Sequence, residues 1–394
     1  MMPKMTIALI LPVPPGYSET FFKSKIRGLQ DNGYKVILVT AATKDRFKDC
    51  KHVVHPKVYK SLIKQSLAML IVGLGLLPHI KQVIRYVRLE RKNKTTLKRI
   101  IEKVYINATL LKLKADWLHF GFATMAIQRE LVAKAIKAKM AVSFRGYDIN
   151  VYPLKNKEVY KLLWKNVDKV HSISNDLLQR AYALGLSETK NYQIITPAVN
   201  IKNLPVLRER ELSAPLKMVT IARLHYIKGV DLLLETAHIL NQRGVNFIWE
   251  IIGGGQAQDE ERYLYQCYKL GLKNKVKFKG KLDHKETLDV LGQTDLYIQT
   301  SLIEGFCNAV LESQSLGKIS IAFDTGGLKE NIKDGETGFL VKPNDTVAMA
   351  NMIEYVIGLS EAEKQKMQQL AIRRVKQQFN IEQQQQAFVA FFTA

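Results

Sequence analysis

The segment Glu304-Gly-Phe-Cys-Asn-Ala-Val-Leu-Glu312 follows directly on the strand-like run Asp295-Leu-Tyr-Ile-Gln-Thr-Ser301. A helix that begins at Gly305 would present unpaired N–H groups and the positive end of its dipole, which suit a phosphate group. At about 1.5 Å per residue, Glu312 would lie roughly 12 Å along the helix axis from Glu304. The segment therefore predicts a ligand site after a strand. An ordinary helix with an exposed glutamate at each end would have the same spacing.

Outward from this segment, strand-like runs alternate with helix-like ones along the whole chain, which predicts parallel α/β sheets. The polar, charged stretch 203–215 interrupts the alternation and predicts a domain boundary. We therefore expect two doubly wound domains that face each other across a cleft. The predicted strands are 5–11, 35–41, 116–120, 140–144, 169–174 and 192–196 in the first domain, and 216–222, 246–252, 276–280, 295–301, 318–323 and 338–341 in the second.

The charge of the chain is distributed unevenly. Residues 1–200 contain 35 Lys and Arg against 13 Asp and Glu, whereas residues 201–394 contain 24 against 23, so nearly all of the net charge of +23 lies in the first half. Such asymmetry predicts a polyanionic partner, either nucleic acid or an anionic membrane. The chain lacks the signature of a nucleic-acid-binding module, and we expect no nucleic-acid partner. Three widely separated cysteines and the absence of a signal-peptide pattern predict a reduced, cytosolic protein.

An apolar run and a basic helix face lie next to each other in the first half. The run Ser66–Leu77 is too short to span a bilayer. It is followed by cations at spacings of three and four, which are Lys81, Arg85, Arg88 and Lys92. A basic amphipathic segment beside an apolar one predicts attachment to a membrane surface. The alternative is a solvated helix next to a buried core helix.

Several charged side chains follow predicted strands. Arg223 and Lys228 come after the first strand of the second domain, and this pair of cations suits a diphosphate. Ligands of parallel α/β domains bind at the carboxyl ends of the strands, which places the pair in a predicted site. In the first domain, His119 and Arg145 end neighbouring strands, and we expect both to point into the crevice. A solvated loop pair and a structural histidine are the alternatives.

Four elements together resemble the retaining glycosyltransferases of family 4. They are Arg223 with Lys228-Gly229 five residues later, Glu304 with Glu312, Asp324-Thr-Gly326-Gly327-Leu-Lys-Glu330, and Gly335-Glu-Thr-Gly338-Phe-Leu-Val-Lys-Pro343. The resemblance covers essentially the whole chain. Three further runs most resemble the subgroup that builds bacterial exopolysaccharide, colanic acid-type and lipopolysaccharide glycans: Ser18-Glu19-Thr20-Phe21, His119-Phe-Gly121 and Phe144-Arg-Gly-Tyr-Asp148.

This resemblance implies the GT-B architecture: an acceptor-binding domain over residues 1–203, a nucleotide-sugar-binding domain over 204–378, and a helix over 379–394 that crosses back to the first domain. It also implies roles for individual residues. Arg223 and Lys228 would hold the donor diphosphate and neutralise the leaving group. Glu304 would contact the donor sugar and Glu312 the ribose. The remaining donor-binding residues would be Gly305, Phe306, Cys307 and Asn308. His119 would reach toward the reacting centre, and Ser18, Glu19, Arg145 and Asp148 would lie on the acceptor side.

The implied reaction is transfer of a hexose from a UDP- or GDP-linked sugar to a lipid-linked or growing glycan acceptor, without a cofactor or metal. The chain contains no Asp-x-Asp motif and no His/Cys cluster with metal-ligand spacing, in agreement with metal-independent transfer. The implied location is the cytoplasm, at the inner face of the plasma membrane. Arg145 departs from the family pattern, where histidine is common, and Gly16-Tyr-Ser-Glu-Thr20 replaces the usual Gly-Gly loop.

Three alternatives remain open at this point: a nucleotide-sugar epimerase of the same architecture, a transferase that acts on a small soluble acceptor, and a non-enzymatic sensor of sugar nucleotides. The sequence also leaves open the nucleobase, the sugar, the linkage, the oligomeric state, and whether anomeric configuration is retained by a front-side path or through a covalent intermediate.

Overall fold

The computed structural model describes residues 4–16, 20–43, 45–201, 204 and 215–393, so most of the predicted linker lies outside the described residues. The chain forms two compact units. Unit 1 comprises Met1–Ile173, Leu177–Ile195 and Gln385–Ala394, and unit 2 comprises Ser174–Asp176 and Thr196–Gln384. The units therefore divide within about ten residues of the boundaries predicted from the sequence.

Unit 1 is built on a parallel sheet of seven strands in the order β3-β2-β1-β4-β5-β6-β7. The strands are β1 (Thr6–Ile10), β2 (Lys35–Thr40), β3 (Lys51–Val54), β4 (Trp117–Phe120), β5 (Lys139–Phe144), β6 (Lys169–Ser172) and β7 (Asn191–Ile194). Its helices are α1 (Thr20–Asp31), α2 (Leu62–Leu74), α3 (Ile80–Lys92), α4 (Leu97–Ile106), α5 (Ala108–Leu111), α6 (Ala123–Ala126), α7 (Val132–Ile136), α8 (Tyr147–Asn150), α9 (Tyr152–Lys155), α10 (Lys161–Asn166) and most of α11 (Asn175–Ala183).

Unit 2 is built on a parallel sheet of six strands in the order β10-β9-β8-β11-β12-β13. The strands are β8 (Leu216–Ile221), β9 (Phe247–Ile252), β10 (Val276–Gly280), β11 (Leu296–Gln299), β12 (Ile319–Phe323) and β13 (Phe339–Val341). Its helices are α12 (Val230–Gln242), α13 (Ala257–Lys269), α14 (His284–Gly292), α15 (Asn308–Ser315), α16 (Leu328–Asn331), α17 (Thr346–Gly358), α18 (Glu361–Gln378) and the start of α19 (Ile381–Thr393).

The strands are apolar because helices cover a parallel sheet on both faces. In β12 all five residues are buried, and β1 is buried from Ile7 onward. The last turns of α19 complete the core of unit 1, where Phe388, Phe391 and Phe392 are buried. The prediction of two Rossmann-like α/β domains is confirmed, and every predicted strand is present. The edge strand β3 was missed, since Lys51-His-Val-Val54 is short and half polar.

The strand orders fix where ligands can bind. In unit 2 the chain winds outward from β8 to β9 and β10, then returns to the other side of β8 to form β11, β12 and β13. The order therefore reverses between β8 and β11, and loops that leave their carboxyl ends diverge around a crevice. In unit 1 the same reversal lies between β1 and β4.

Candidate active site

The reversal point of unit 2 brings together the charged residues predicted there. Arg223 and Lys228 lie on the loop after β8, and Glu304 lies on the loop after β11. Lys228 Nζ donates to Glu304 Oε2 at 2.5 Å. Arg223 is exposed, and its charge is close enough to Lys228 to oppose protonation of the amine. The structure thus places two cations and one carboxylate at the carboxyl ends of neighbouring strands.

The ion pair is largely withdrawn from water, because the side chains of Lys228 and Glu304 are only 16% and 11% exposed. Burial alone would lower the pKa of Lys228, but the adjacent Glu304 carboxylate outweighs it, and the pKa is raised above its ordinary value. The ammonium group is therefore fixed in its charged form. A fixed positive charge in a site of low dielectric is suited to stabilise a phosphate oxygen.

A chain of buried polar side chains orients the Glu304 carboxylate. Tyr297 donates its hydroxyl to Gln299 Oε1, Gln299 Nε2 donates to Ser301 Oγ at 2.7 Å, and Ser301 Oγ donates to Glu304 Oε2 at 3.1 Å. Residues two apart in a strand point to the same face, so Tyr297, Gln299 and Ser301 form one row. The row fixes the carboxylate that holds Lys228.

Glycines allow the loop that carries Arg223 and Lys228 to pack against its neighbours. Gly229 has a φ of +62°, and a Cβ there would lie 2.0 Å from the Thr300 carbonyl oxygen. At Gly253, with a φ of +140°, a Cβ would lie 1.9 Å from the carbonyl oxygen of Ala222, the residue before Arg223. The run Gly253-Gly-Gly255 therefore closes against the backbone of this loop.

The loop that carries Glu304 is held by its contacts with residues 326–331. Gly327 N–H donates to the Glu304 carbonyl oxygen at 2.9 Å. Asn331 bonds both backbone groups of Cys307: its Oδ1 accepts from the amide at 2.9 Å, and its Nδ2 donates to the carbonyl oxygen at 3.1 Å. The Cys307 amide is thus already occupied, which corrects its predicted role as a donor-binding group. The thiol is also buried, and burial raises its pKa to about 12.

The helix predicted to start at Gly305 starts three residues later. Cys307 is the N-terminal capping residue of α15, and Asn308 is its first helical residue. Glu304, Gly305 and Phe306 are therefore loop residues, and the 12 Å helical spacing between Glu304 and Glu312 does not apply. The Phe306 ring is buried against Phe379, with 5.7 Å between ring centroids.

Glu312 is paired with a histidine that the sequence analysis did not include. His284 Nε2 lies 2.9 Å from Glu312 Oε1, at the start of α14. The hydrogen bond to Glu312 raises the pKa of His284 above its ordinary value. The pairing holds the carboxylate in one orientation, as recognition of a ribose by Glu312 would require.

The His284–Glu312 pair should make the stability of unit 2 depend on pH. Because the pKa of His284 is raised on folding, its contribution is fully present below the unfolded-state pKa of about 6.5 and is lost as pH rises through the higher folded-state value. Urea unfolding between about pH 6 and pH 9 should show this loss, and His284→Gln should remove it. His238→Gln is the matched control, since that ring contacts the Leu270 carbonyl oxygen rather than a carboxylate. A wild-type pH slope in His284→Gln would contradict the assignment.

In unit 1 the structure corrects the prediction for His119. Its side chain is fully buried, with Lys25 Nζ 3.1 Å from Nδ1 and Ser143 Oγ 2.7 Å from Nε2. Ser143 Oγ in turn lies 2.8 Å from His171 Nδ1. Burial, and then the charge of Lys25, holds the pKa of His119 well below its ordinary value. His119 therefore belongs to a buried polar chain inside unit 1.

The predicted acceptor-side residues differ in what they do. The Asp148 carboxylate is buried and accepts from the backbone amides of Arg145, Gly146 and Ala123 at 2.9–3.0 Å, so it fixes loop geometry rather than contacting an acceptor. The Arg145 guanidinium stacks on Phe21, 3.6 Å from the ring centroid. Ser18 and Glu19 lie outside the described residues.

A pocket of about 540 Å³ lies at the carboxyl ends of β1 and β2. Its charged lining residues are Lys23, Arg46, Lys48, Asp45 and Asp49. It is therefore a candidate for an acceptor that carries polar or anionic groups.

Comparison with known proteins bears on unit 2 directly. Residues 208–374 match the family described as "Glycosyl transferases group 1". This stretch of the chain is therefore similar to a group 1 glycosyltransferase domain. The β8 loop, the β11 loop and the helix that carries Glu312 all lie within the matched residues. The predicted enzyme class, a glycosyltransferase, is confirmed at that level.

Two relatives extend the likeness beyond the glycosyltransferase domain. A putative colanic acid biosynthesis glycosyltransferase of Escherichia coli (strain K12) is 26% identical over 272 residues, which is 66% of each chain. An amylovoran biosynthesis glycosyltransferase of Erwinia amylovora is 25% identical over 245 residues, 60% of this chain and 59% of that protein. The alignments thus span about two thirds or less of these relatives' lengths.

Solved structures match nearly the whole chain. Sucrose-phosphate synthase from Thermosynechococcus elongatus has a TM-score of 0.75 at 17% identity, covering 99% of this chain and 98% of that chain. Anabaena Alr3699/HepE in complex with UDP and glucose has a TM-score of 0.73 at 15% identity, covering 99% of this chain and 100% of that chain. The predicted GT-B fold is confirmed.

The residues that could not be predicted from the sequence hold the predicted site residues in place through hydrogen bonds. Tyr297, Gln299 and Ser301 could have been recognised as polar residues at every second position of a buried strand. Asn331 and His284 carry no comparable signal, because their partners are 24 and 28 positions away. Among the described residues, no three His, Cys, Asp or Glu side chains come together as metal ligands.

Proposed function

We propose that this protein is a retaining, metal-independent glycosyltransferase that moves a hexose from a nucleotide-diphosphate sugar to a lipid-linked or growing polysaccharide acceptor in cell-surface glycan biosynthesis. The buried Lys228–Glu304 pair at the β8/β11 reversal point carries the proposal. It combines a permanent cation with an oriented carboxylate inside a glycosyltransferase domain. The named roles of the Escherichia coli and Erwinia relatives in colanic acid and amylovoran biosynthesis support the glycan context.

In this proposal Lys228 and Arg223 bind the diphosphate of a UDP- or GDP-linked sugar. As the bond between the anomeric carbon and the phosphate oxygen breaks, negative charge grows on the leaving diphosphate, and the two cations stabilise it. They supply the positive charge that a divalent ion provides in other phosphate sites, so no metal is needed. The acceptor hydroxyl oxygen replaces the diphosphate at the anomeric carbon with retention of configuration, and its proton passes to an oxygen of the departing diphosphate.

Glu304 and Glu312 hold the two ends of the donor. Glu304 keeps Lys228 charged and accepts hydrogen bonds from sugar hydroxyls, while the backbone amides of Gly305 and Phe306 donate to the sugar and the phosphates. Glu312, held by His284, accepts hydrogen bonds from the ribose. We place the acceptor on unit 1, next to the pocket after β1 and β2, and the enzyme at the cytoplasmic face of the plasma membrane. The basic N-terminal half supports this location.

The donor assignment predicts the effect of Glu312→Gln. The variant keeps the shape of the side chain but loses its charge, and hydrogen bonds to charged groups contribute about 1.5–3 kcal/mol. We expect Kd for the preferred nucleotide, UDP or GDP, to rise about 10- to 100-fold in isothermal titration calorimetry. Glu261→Gln, an exposed carboxylate on α13, is the control and should leave Kd unchanged. An unchanged Kd in Glu312→Gln would contradict the ribose role.

Product analysis separates this function from an epimerase. With an acceptor present, the wild-type enzyme should form a glycoside and release free nucleotide diphosphate. Without an acceptor it should only hydrolyse the donor slowly, releasing free sugar and nucleotide diphosphate. Formation of a new sugar nucleotide without an acceptor would instead support the epimerase, and a protein that binds the donor without releasing free nucleotide would be a sensor.

A further inference from the structure

Helix α2 of unit 1 presents an exposed apolar surface. All thirteen residues of α2 are described, and none of them is buried. The side chains of Ile63, Leu67, Leu70, Ile71 and Leu74 are 58–84% exposed. Their spacing of three and four residues puts them on one face of the helix. Scattered exposed leucines are ordinary in soluble proteins, but a continuous stripe of this kind marks an interaction surface.

The opposite face of α2 is the one that packs on the protein. Gln65, Ala68, Met69 and Val72 are half-buried, and α2 packs on α4. The stripe is therefore not a core face awaiting a partner inside unit 1. The alternative of a buried core helix in this run is excluded, because no residue of α2 is buried.

The exposed surface continues into α3 and changes from apolar to basic. Leu77, Ile80 and Ile84 extend the stripe past the junction between the two helices, and Arg88 and Lys92 follow on the same side of α3. No Asp or Glu occurs in residues 57–89. The next acid, Glu90, is fully buried and lies 2.7 Å from Lys103 Nζ, so its charge is neutralised within unit 1.

We propose that α2 and the first turns of α3 lie in the interface of an anionic lipid bilayer, with the α2 stripe at the headgroup–acyl boundary and the α3 cations on lipid phosphates. The apolar stripe on α2 is followed along the same surface by Lys and Arg on α3, without acids in residues 57–89. Such a surface complements an anionic membrane, and this observation selects the partner. At about 1.5 Å per residue, α2 is about 20 Å long and fits along a membrane surface.

No single described helix is long and apolar enough to cross a bilayer, although the segments Leu62–Leu74 and Leu77–Lys92, bent by 56°, have together the length and composition for a broken span. The half-buried face of α2 and the cations along α3 favour the interfacial orientation. The proposal deepens the function proposed above and rests on it only for the acceptor: an enzyme held at the membrane in this way meets a lipid-linked acceptor by diffusion in two dimensions.

Vesicle binding tests the proposal without reference to activity. The full-length protein should cosediment with vesicles of phosphatidylglycerol and phosphatidylethanolamine but not with vesicles of phosphatidylcholine. Leu67→Ser/Leu70→Ser/Ile71→Ser/Leu74→Ser should weaken binding by at least about 100-fold. Lys81→Gln/Arg88→Gln/Lys92→Gln should weaken it by about 100-fold, because each cation near an anionic surface contributes about fivefold. These residues are not buried, so both variants should fold.

A matched control is available in unit 2. Leu264, Tyr265 and Tyr268 on α13 are exposed to a similar extent, and Leu264→Ser/Tyr265→Ser/Tyr268→Ser should leave vesicle binding unchanged. Equal binding by wild type and the α2 variant would overturn the proposal. A lipid-free dimer that the α2 variant converts to a monomer, measured by sedimentation velocity, would also overturn it by assigning the stripe to a second copy of the chain.

The depth of insertion distinguishes the interfacial helix from a broken span. A Leu70→Trp variant reports the depth, as the difference between its tryptophan fluorescence and that of the wild type. This additional fluorescence should be quenched most by lipids brominated near the headgroups. Strongest quenching by bromines at the ends of the acyl chains would establish a span and overturn the proposal. Two variants separate this proposal from the proposed enzymatic function. The α2 variant should hydrolyse a soluble nucleotide-sugar donor at the wild-type rate, whereas Lys228→Met should lose hydrolysis and keep vesicle binding. Failure of one proposal is therefore distinguishable from failure of the other.

Discussion

Lys228→Met should lower turnover by about 100- to 1,000-fold, because the departing diphosphate loses a fixed cation in a site of low dielectric. It should also lower the free energy of unfolding by about 3–5 kcal/mol, since the Glu304 carboxylate would remain mostly buried without its partner. Initial rates of nucleotide release at saturating donor, together with urea unfolding, measure the two effects.

A charge-balanced double variant separates catalysis from folding. Lys228→Met/Glu304→Gln has no unpaired buried charge, and it should recover most of the stability while turnover stays low. Arg243→Met is the control, because Arg243 pairs with Glu354 at 2.5 Å but both side chains are about one third exposed. It should cost about 0–1 kcal/mol and leave turnover unchanged. Recovery of turnover in the double variant would show that Lys228 is structural only.

Gly327→Ala should lower turnover by about 100-fold through a displacement of the Glu304 loop. The φ of Gly327 is −76°, which alanine adopts freely, but the new Cβ would lie 2.1 Å from the Gly305 carbonyl oxygen. Either backbone must therefore shift, and a displacement of about 1 Å at a catalytic group typically costs about 100-fold in rate. The change should appear in kcat more than in the Kd of free nucleotide.

The control for this prediction is Gly358→Ala. Gly358 ends α17, and a Cβ there would have no atom within 4 Å. The variant should match the wild type in turnover and in Tm. Full activity in Gly327→Ala would mean that the position of the loop is not critical for turnover.

Much of the fold could be predicted because strands and helices leave local patterns in a sequence. Buried runs such as Ile319–Phe323 mark strands that are covered on both faces, and the two sets of such runs predict two parallel sheets. The cations at Arg223 and Lys228 could be placed for the same reason, since residues that follow parallel strands gather at one edge of a sheet.

The remaining features depend on contacts between distant parts of the chain. His119 lies near the end of β4 and Arg145 follows β5, yet His119 is buried beside Lys25, which is 94 positions away. Its pattern in the sequence is the same as that of a surface histidine. The start of α15 at Asn308 is likewise set by Asn331, which bonds the Cys307 backbone from 24 positions away. Periodicity cannot report such partners, so these were the positions where the prediction failed.

The glycines around the donor site limit how its specificity can be redesigned. At Gly253, Gly255, Gly326 and Gly327 a neighbouring carbonyl oxygen lies within 2.5 Å of where a Cβ would be, so this part of the wall is main chain that accepts no side chain. A mutant library aimed at a new sugar or nucleobase should leave these four codons unchanged. It should instead vary Asn308, which is exposed at the start of α15, where substitutions need not move the backbone.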